Sequence, residues 1–219
     1  MARVVIVGGH GKVAQQLIHQ LSDRGDTAVA TVRNPDHVAD VERLGGQAVQ
    51  VDLEQDGPER LAEVFQGADA VVFSAGAGAD GEVERKRTVD LQGSLKSIAA
   101  AEQAGVSRFV QVSAISVDRP VDPGASEVWK AYVAAKRDAD AALRRSRLDW
   151  TILRPGGLTD EEGTGRLQLA DEVERGSIPR ADVAALIVAV LDEPTSVGRQ
   201  WEAVSGDQPI ADALAAALA

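Results

Sequence analysis

The opening stretch of the chain constrains its fold more than any other. Arg3-Val4-Val5-Ile6-Val7 is an apolar, β-branched run; Gly8-Gly9-His10-Gly11 interrupts it; Lys12-Val13-Ala14 and the residues up to Leu21 then follow a helical apolar pattern. β-Branched residues favour extended backbone, glycines permit a tight turn, and apolar residues at i, i+3 and i+4 mark a helix. The segment therefore reads as strand, turn and helix. Backbone N–H groups at the start of such a helix carry partial positive charge, and glycines let an anion approach the main chain closely. Gly8, Gly11, Lys12 and Val13 become candidates for holding a pyrophosphate.

The same grammar recurs along the chain. Strand-like runs fall at Val4–Val7, Ala28–Val32, Ala48–Val51, Ala70–Phe73, Arg108–Val112 and Trp150–Leu153, with helical patterns over Lys12–Arg24, Pro35–Leu44, Pro58–Phe65, Glu82–Ala104 and Glu127–Ser146. This alternation predicts an α/β fold, a doubly wound parallel sheet with helices on both faces, in a single domain over residues 1–219. Beyond Leu153 the pattern loosens into Pro155-Gly156-Gly157 and an acidic, glycine-containing loop from Thr159 to Gly165. A helix over Ala181–Leu191, a strand over Gln200–Val204 and an alanine-rich helix over Ile210–Leu218 are expected to complete a small substrate-side region, residues 154–219.

Composition narrows the partners. Asp plus Glu number 34 against 23 Lys plus Arg, a net charge of −11, which disfavours a nucleic-acid partner. The absence of cysteine excludes disulfides, thiolate catalysis and cysteine metal sites. His10, His19 and His37 fall on separate elements and read as loop or surface residues, with no metal cluster in view. The chain enters a strand at once, without a charged leader and long apolar region, and no run approaches the ~20 apolar residues of a membrane span. A soluble cytoplasmic protein acting on a small molecule, away from membranes, is the expectation; oligomeric state is not readable.

Candidate site residues sit where strands end. Near the position at which an acidic residue would meet the ribose 2′-hydroxyl of NAD, this chain carries Arg33. A guanidinium pairs with a 2′-phosphate through charge-assisted hydrogen bonds, so NADP is favoured over NAD, with Lys12 as a second positive charge. Asp52 is placed to accept from an adenine amino group, with Leu53 against the ring; a turn or cap role fits Asp52 equally well. Ser74, Ala75 and Gly76 are small enough to admit the adenosine ribose and pyrophosphate. Tyr132, the chain's one tyrosine, precedes Lys136 by one helical turn, so the two side chains share a face. An ammonium there is expected to lower the phenol pKa toward working pH and make it an acid or base. Ser113 ends a strand, where its hydroxyl is expected to orient a substrate carbonyl.

With these features in order, the sequence resembles the short-chain dehydrogenase/reductase superfamily of Rossmann-fold proteins, most of all its atypical, epimerase-like NAD(P)H-binding branch. The resemblance covers roughly residues 2–206. It rests on Val4–Ala14, Phe109-Val110-Gln111-Val112-Ser113, Tyr132-Val133-Ala134-Ala135-Lys136 and the stretch from Leu148 through Arg154-Pro155-Gly156-Gly157-Leu158-Thr159. It implies that Gly8, Gly11 and Ala14 form the pyrophosphate turn and its helix contact, that Ser113 positions substrate, and that Tyr132 is the general acid/base. It implies too that Lys136 binds the nicotinamide ribose while lowering the tyrosine pKa, and that Pro155 and Gly156 run beside the nicotinamide amide. Where many relatives carry asparagine, this chain carries Asp90, whose charge is expected to disturb proton relay.

Three functions compete. An NADPH-dependent oxidoreductase leads. A non-catalytic NADP(H) sensor is motivated by Asp90, and a sugar epimerase or dehydratase ranks lower because only 64 residues follow Pro155. The seven aromatic residues offer little stacking surface, which disfavours a flavin or tetrapyrrole acceptor unless Phe or Trp near the last loops line a pocket.

Overall fold

A computed structural model describes residues 1–78 and 82–219. The first half alternates β1 (Arg3–Val7), α1 (Lys12–Asp23), β2 (Thr27–Val32), a 3₁₀ turn (Pro35–His37), α2 (Val38–Arg43), β3 (Gln47–Gln50), α3 (Pro58–Phe65) and β4 (Ala70–Phe73). A single long helix, predicted over Glu82–Ala104, is in fact three joined pieces: α4 (Val83–Arg85), a π-helical stretch (Lys86–Gln92) and α5 (Gly93–Ala104). Then come β5 (Arg108–Val112), α6 (Glu127–Arg145) and β6 (Asp149–Pro155).

The region beyond Leu153 departs most from expectation. It is strand-rich: β7 (Gly157–Thr159), β8 (Arg166–Ala170), β9 (Ser177–Pro179), α7 (Arg180–Asp192), β10 (Arg199–Ser205), β11 (Gln208–Pro209) and α8 (Ile210–Leu218). Among the described residues the main sheet runs β11-β8-β10-β6-β5-β4-β1-β2-β3, with β7 and β9 paired separately. From β3 to β10 the strands are parallel, while β8 and β11 join antiparallel.

Residue alternation explains the two-sided core. Along β1, Val4 and Ile6 pack into one apolar cluster with Leu17, Ile18 and Leu21 of α1 and Ile187 of α7. Val5 and Val7 pack into the other, with Leu61 and Phe65 of α3 and Ile98 of α5. A strand covered on both faces must be apolar at every position, which is why the strands read as continuous runs. Burying each such side chain contributes roughly 1.5–3 kcal/mol.

Strand order reverses at β1, which lies between β2 and β4. Loops leaving the two neighbouring strands on either side diverge there and open a crevice at the carboxyl edge. Among the described residues, no helix is long and apolar enough to cross a membrane.

Candidate functional site

At that edge lies a cleft of about 1010 Å³. It is lined by Gly8, Gly11, Lys12, Val13, Arg33, Asp52, Leu53, Ser74, Ala75, Gly76, Ser113, Tyr132, Lys136, Pro155 and Gly156, with Ala14 buried behind the turn. Among the described residues, six Lys and Arg face three Asp and Glu along its walls, so an acidic chain presents a cleft whose described lining is net cationic.

The glycine turn is required by close approach. Gly8 has φ +86°, and a Cβ there would stand 2.6 Å from Ala75 Cα, so the turn after β1 lies directly on the segment after β4. A Cβ on Gly9 would come within 2.4 Å of the Ala30 side chain. Gly11 caps α1 with no side chain accepting from the first-turn amides, and no acidic residue occupies that turn. An uncapped helix start lining a cationic cleft suits an anionic group. A dinucleotide pyrophosphate fits this cradle.

At the end of the cleft beside β2 and β3, Arg33 is more than half exposed and donates from Nη1 to Glu54 Oε2 at 3.1 Å. Arg85 brings Nε to 3.5 Å from the same oxygen, and Thr88 donates to Glu54 Oε1 at 2.7 Å. Asp52 is a turn residue: its Oδ1 accepts from Glu54 N at 2.9 Å. Lys12 differs from expectation, because its ammonium pairs with Asp160, which also receives Arg180. Its charge is offset within the protein. Of the histidines, His19 is exposed on α1 as expected, while two that fall on separate elements come together. His10 and His37 meet as stacked rings 3.5 Å apart, with His10 Nε2 2.9 Å from Asp40, and both line the cleft beside Arg33.

At the opposite end, α6 presents Tyr132, Lys136 and Asp140 at successive i+4 positions, one stripe on one helix face. The phenol ring lies 5.2 Å from Lys86 Nζ and 5.9 Å from Lys136 Nζ. Lys136 is buried, donates to Val112 O at 3.1 Å and stands 3.6 Å from Asp90 Oδ1. Asp90 is itself buried and accepts from Ala77 N at 3.0 Å. The expected depression of the tyrosine pKa is therefore reversed. Burial pushes the Tyr132 phenol up, Lys136 pulls it down, and the Asp90 and Asp140 carboxylates push it up again.

Ser113 also departs from expectation. Its hydroxyl donates to Asp140 Oδ2 at 2.8 Å, while Asp140 Oδ1 accepts from Gln111 at 2.7 Å. Arg154 donates from Nε to Asp140 at 2.9 Å and from Nη1 to Asp118 at 2.7 Å. Burial raises the Asp140 carboxyl, opposed by Arg154, Ser113 and Gln111. Both Asp140 oxygens receive donors from Ser113, Gln111 and Arg154, so the Ser113 proton is committed inward and the hydroxyl has lone pairs left for the cleft. Nearby, Ser116 takes φ +63°, its N–H held by Glu202 Oε1 at 2.6 Å.

Sequence reasoning missed Glu54, Arg85, Lys86, Trp129, Asp140, Arg154 and Glu202. The i+4 spacing from Lys136 was a usable signal for Asp140, and the i−3 spacing from Tyr132 for Trp129; the others depend on chain crossings. Trp129 matters because it is 46% exposed and lines the cleft with Val128 and Leu158, its ring 5.5 Å from Tyr132. The expected shortage of stacking surface is corrected by this one residue.

Comparison with known proteins agrees with the geometry. Residues 8–194 match the model of a family described as NAD(P)H-binding. A Bacillus subtilis protein named "Uncharacterized sugar epimerase YhfK" is 39% identical over 213 residues, covering 97% of this chain and 98% of that one. A Bacillus halodurans structure, provisionally named as an NAD-dependent epimerase/dehydratase, superposes with a TM-score of 0.91 at 36% identity, over 99% of this chain and 100% of that one. An Escherichia coli structure named as an anaerobilin reductase superposes with a TM-score of 0.73 at 26% identity, over 94% and 98%. The chain belongs to the NAD(P)H-binding family, among the atypical short-chain dehydrogenase/reductase-like Rossmann proteins.

Proposed function

We propose that the cleft binds NADP(H) and that the protein is an oxidoreductase reducing a small organic acceptor, with Tyr132 as proton donor. The observation that carries this reading is continuity: the glycine turn, Arg33 and Tyr132 line one cleft, at its phosphate, adenosine and reacting ends. Gly8, Gly11 and Val13 would hold the pyrophosphate, Arg33 a 2′-phosphate, Leu53 and Asp52 the adenine, and Ser74 to Gly76 the neighbouring ribose. Lys136 would reach the other ribose, and the backbone at Pro155 and Gly156 the carboxamide. When bound, the nicotinamide supplies the hydride.

The protein's own part is the proton. A phenol whose pKa burial pushes up stays protonated at neutral pH, the state that can donate a proton and cannot abstract one, which fits reduction better than oxidation. Ser113, its proton held by Asp140, accepts a hydrogen bond from a donor group on the substrate. Val128, Trp129 and Leu158 give the open end an apolar rim, which favours an acceptor with a flat, apolar ring. Of the residues after Leu153, few line the cleft; the others form β8 to β11, the helices α7 and α8 and the loops between them. That supports a small acceptor over a nucleotide sugar. A soluble, cytoplasmic enzyme without nucleic-acid or membrane partners completes the reading.

A second reading, an NADP(H) sensor, is favoured by one contact: Asp90 lies 3.6 Å from Lys136 and offsets the charge that would activate Tyr132. NADPH consumption measured against quinones, flavins and small carbonyls separates the two. The expected outcome is turnover with at least one acceptor, reduced about 100-fold or more by Tyr132→Phe with NADPH affinity retained. No turnover on the panel, or an unimpaired Tyr132→Phe, overturns the reductase reading.

A further inference from the structure

We propose that Glu54 sets the preference of the cleft between NADP and NAD, by occupying the point on which Arg33 and Arg85 converge. This rests on reading the cleft as an NADP(H) site. Two guanidinium groups from distant parts of the chain meet one carboxylate oxygen: Arg33 Nη1 at 3.1 Å and Arg85 Nε at 3.5 Å from Glu54 Oε2. All three residues line the cleft. Arg85 is thus a second cation at the place where Arg33 would meet a 2′-phosphate, and Glu54 is already there.

Glu54 is held in this position from several sides. Thr88 donates to its other carboxylate oxygen at 2.7 Å. Its own N–H is fixed by Asp52 Oδ1 at 2.9 Å. Lys96 donates to the carbonyls of Leu53 and Asp56, each at 2.7 Å, and so pins the whole turn. Stability does not explain such a post, because Arg33 is largely exposed and exposed ion pairs contribute little.

A carboxylate at this point acts on the two cofactors in opposite directions. It accepts a hydrogen bond from a neutral 2′-hydroxyl. Against a 2′-phosphate it is a like charge, and it engages the guanidinium groups the phosphate needs. Binding the phosphorylated ligand therefore requires Glu54 to give up Arg33, and the preference that two arginines would confer is blunted.

The test is calorimetric and needs no turnover. Affinities for NADPH, NADH, adenosine 2′,5′-bisphosphate and adenosine 5′-monophosphate are measured on wild type, Glu54→Gln, Glu54→Ala and Arg33→Ala. Glu54→Gln is expected to tighten NADPH and the bisphosphate about fivefold to tenfold. It should loosen NADH roughly twofold to threefold. Glu54→Ala should move the NADPH-to-NADH ratio in the same direction without an amide at the site. If both substitutions leave that ratio unchanged, or lower it, the proposal is overturned. Arg33→Ala separates the failures. If it selectively weakens the two phosphorylated ligands while the Glu54 variants do nothing, the NADP reading stands and only the role of Glu54 falls. If it weakens all four alike, the NADP reading fails and takes this proposal with it.

Discussion

Burial, not its lysine, decides the direction in which the Tyr132 pKa moves. Burial holds the phenol neutral, and Asp90 and Asp140 reinforce that against the single opposing charge of Lys136. Asp90 is the adjustable member: among the described residues one of its oxygens has no hydrogen-bond partner and lies 3.6 Å from Lys136 Nζ, while the other keeps Ala77 N. Asparagine at this position preserves the Ala77 bond and removes the charge. With that upward push gone, Lys136 acts on the phenol with less opposition, and the phenol pKa falls. A proton donor works while protonated, so activity is lost as pH rises through its pKa. Asp90→Asn is therefore expected to move the alkaline limb of the kcat/KM profile to lower pH by roughly half to one unit. A limb that stays put or moves upward would refute this account of Tyr132.

Elements differ in how openly the chain announces them. Of the six parallel strands from β1 to β6, all but the half-buried edge strand β3 are legible because burial on both faces makes them largely apolar runs, and the glycine turn because close packing against Ala75 and Ala30 admits nothing larger. The short strands after Leu153 are not. β7 and β9 have three residues each and pair only with one another, too little sequence for a period to show. β8 does alternate, with Leu167 and Leu169 inward and Arg166 and Gln168 outward, but its acidic, glycine-containing flank reads as loop. The site divides similarly: Gly8, Arg33, Tyr132 and Lys136 follow from local spacing, whereas Glu54, Arg85 and Lys86 depend on separate segments meeting across the cleft. The π-helical stretch is equally hidden, although it carries buried Lys86 and Asp90 to the cleft wall. Gly156 shows what holds the hidden region. A Cβ there would stand 2.3 Å from Gly176 O and 2.8 Å from Val204 Cγ1, whereas one on Gly157 meets nothing closer than 3.7 Å. Gly156→Ala must push β6 away from the loop entering β9, at a cost of roughly 2–4 kcal/mol. Thermal unfolding should show a Tm lower by about 5–10 °C for Gly156→Ala and little change for Gly157→Ala. Equal Tm values would show that this packing is not tight.

Across the whole molecule, charge is distributed against its own average. The chain carries a net −11 and a sequence pI near 4.7, yet among the described residues its cleft walls hold six Lys and Arg against three Asp and Glu. The acidic exterior keeps like molecules apart and repels anions at long range, while the cleft concentrates a field of the opposite sign where low-dielectric walls weaken it least. A cofactor with several phosphate charges experiences both. Salt screens exposed charges, including Arg33 and Arg85, over about 10 Å at 0.1 M and about 3 Å at 1 M. Raising salt over that range should therefore weaken NADPH binding by roughly tenfold, and NADH, which lacks the third phosphate group, by a clearly smaller factor. Because apolar contacts at Leu53 and Val13 strengthen slightly or not at all with added sodium chloride, they cannot mimic this loss. Affinities that do not change with salt, or that change equally for the two cofactors, would mean that backbone and apolar contacts, not the cationic wall, govern what the cleft selects.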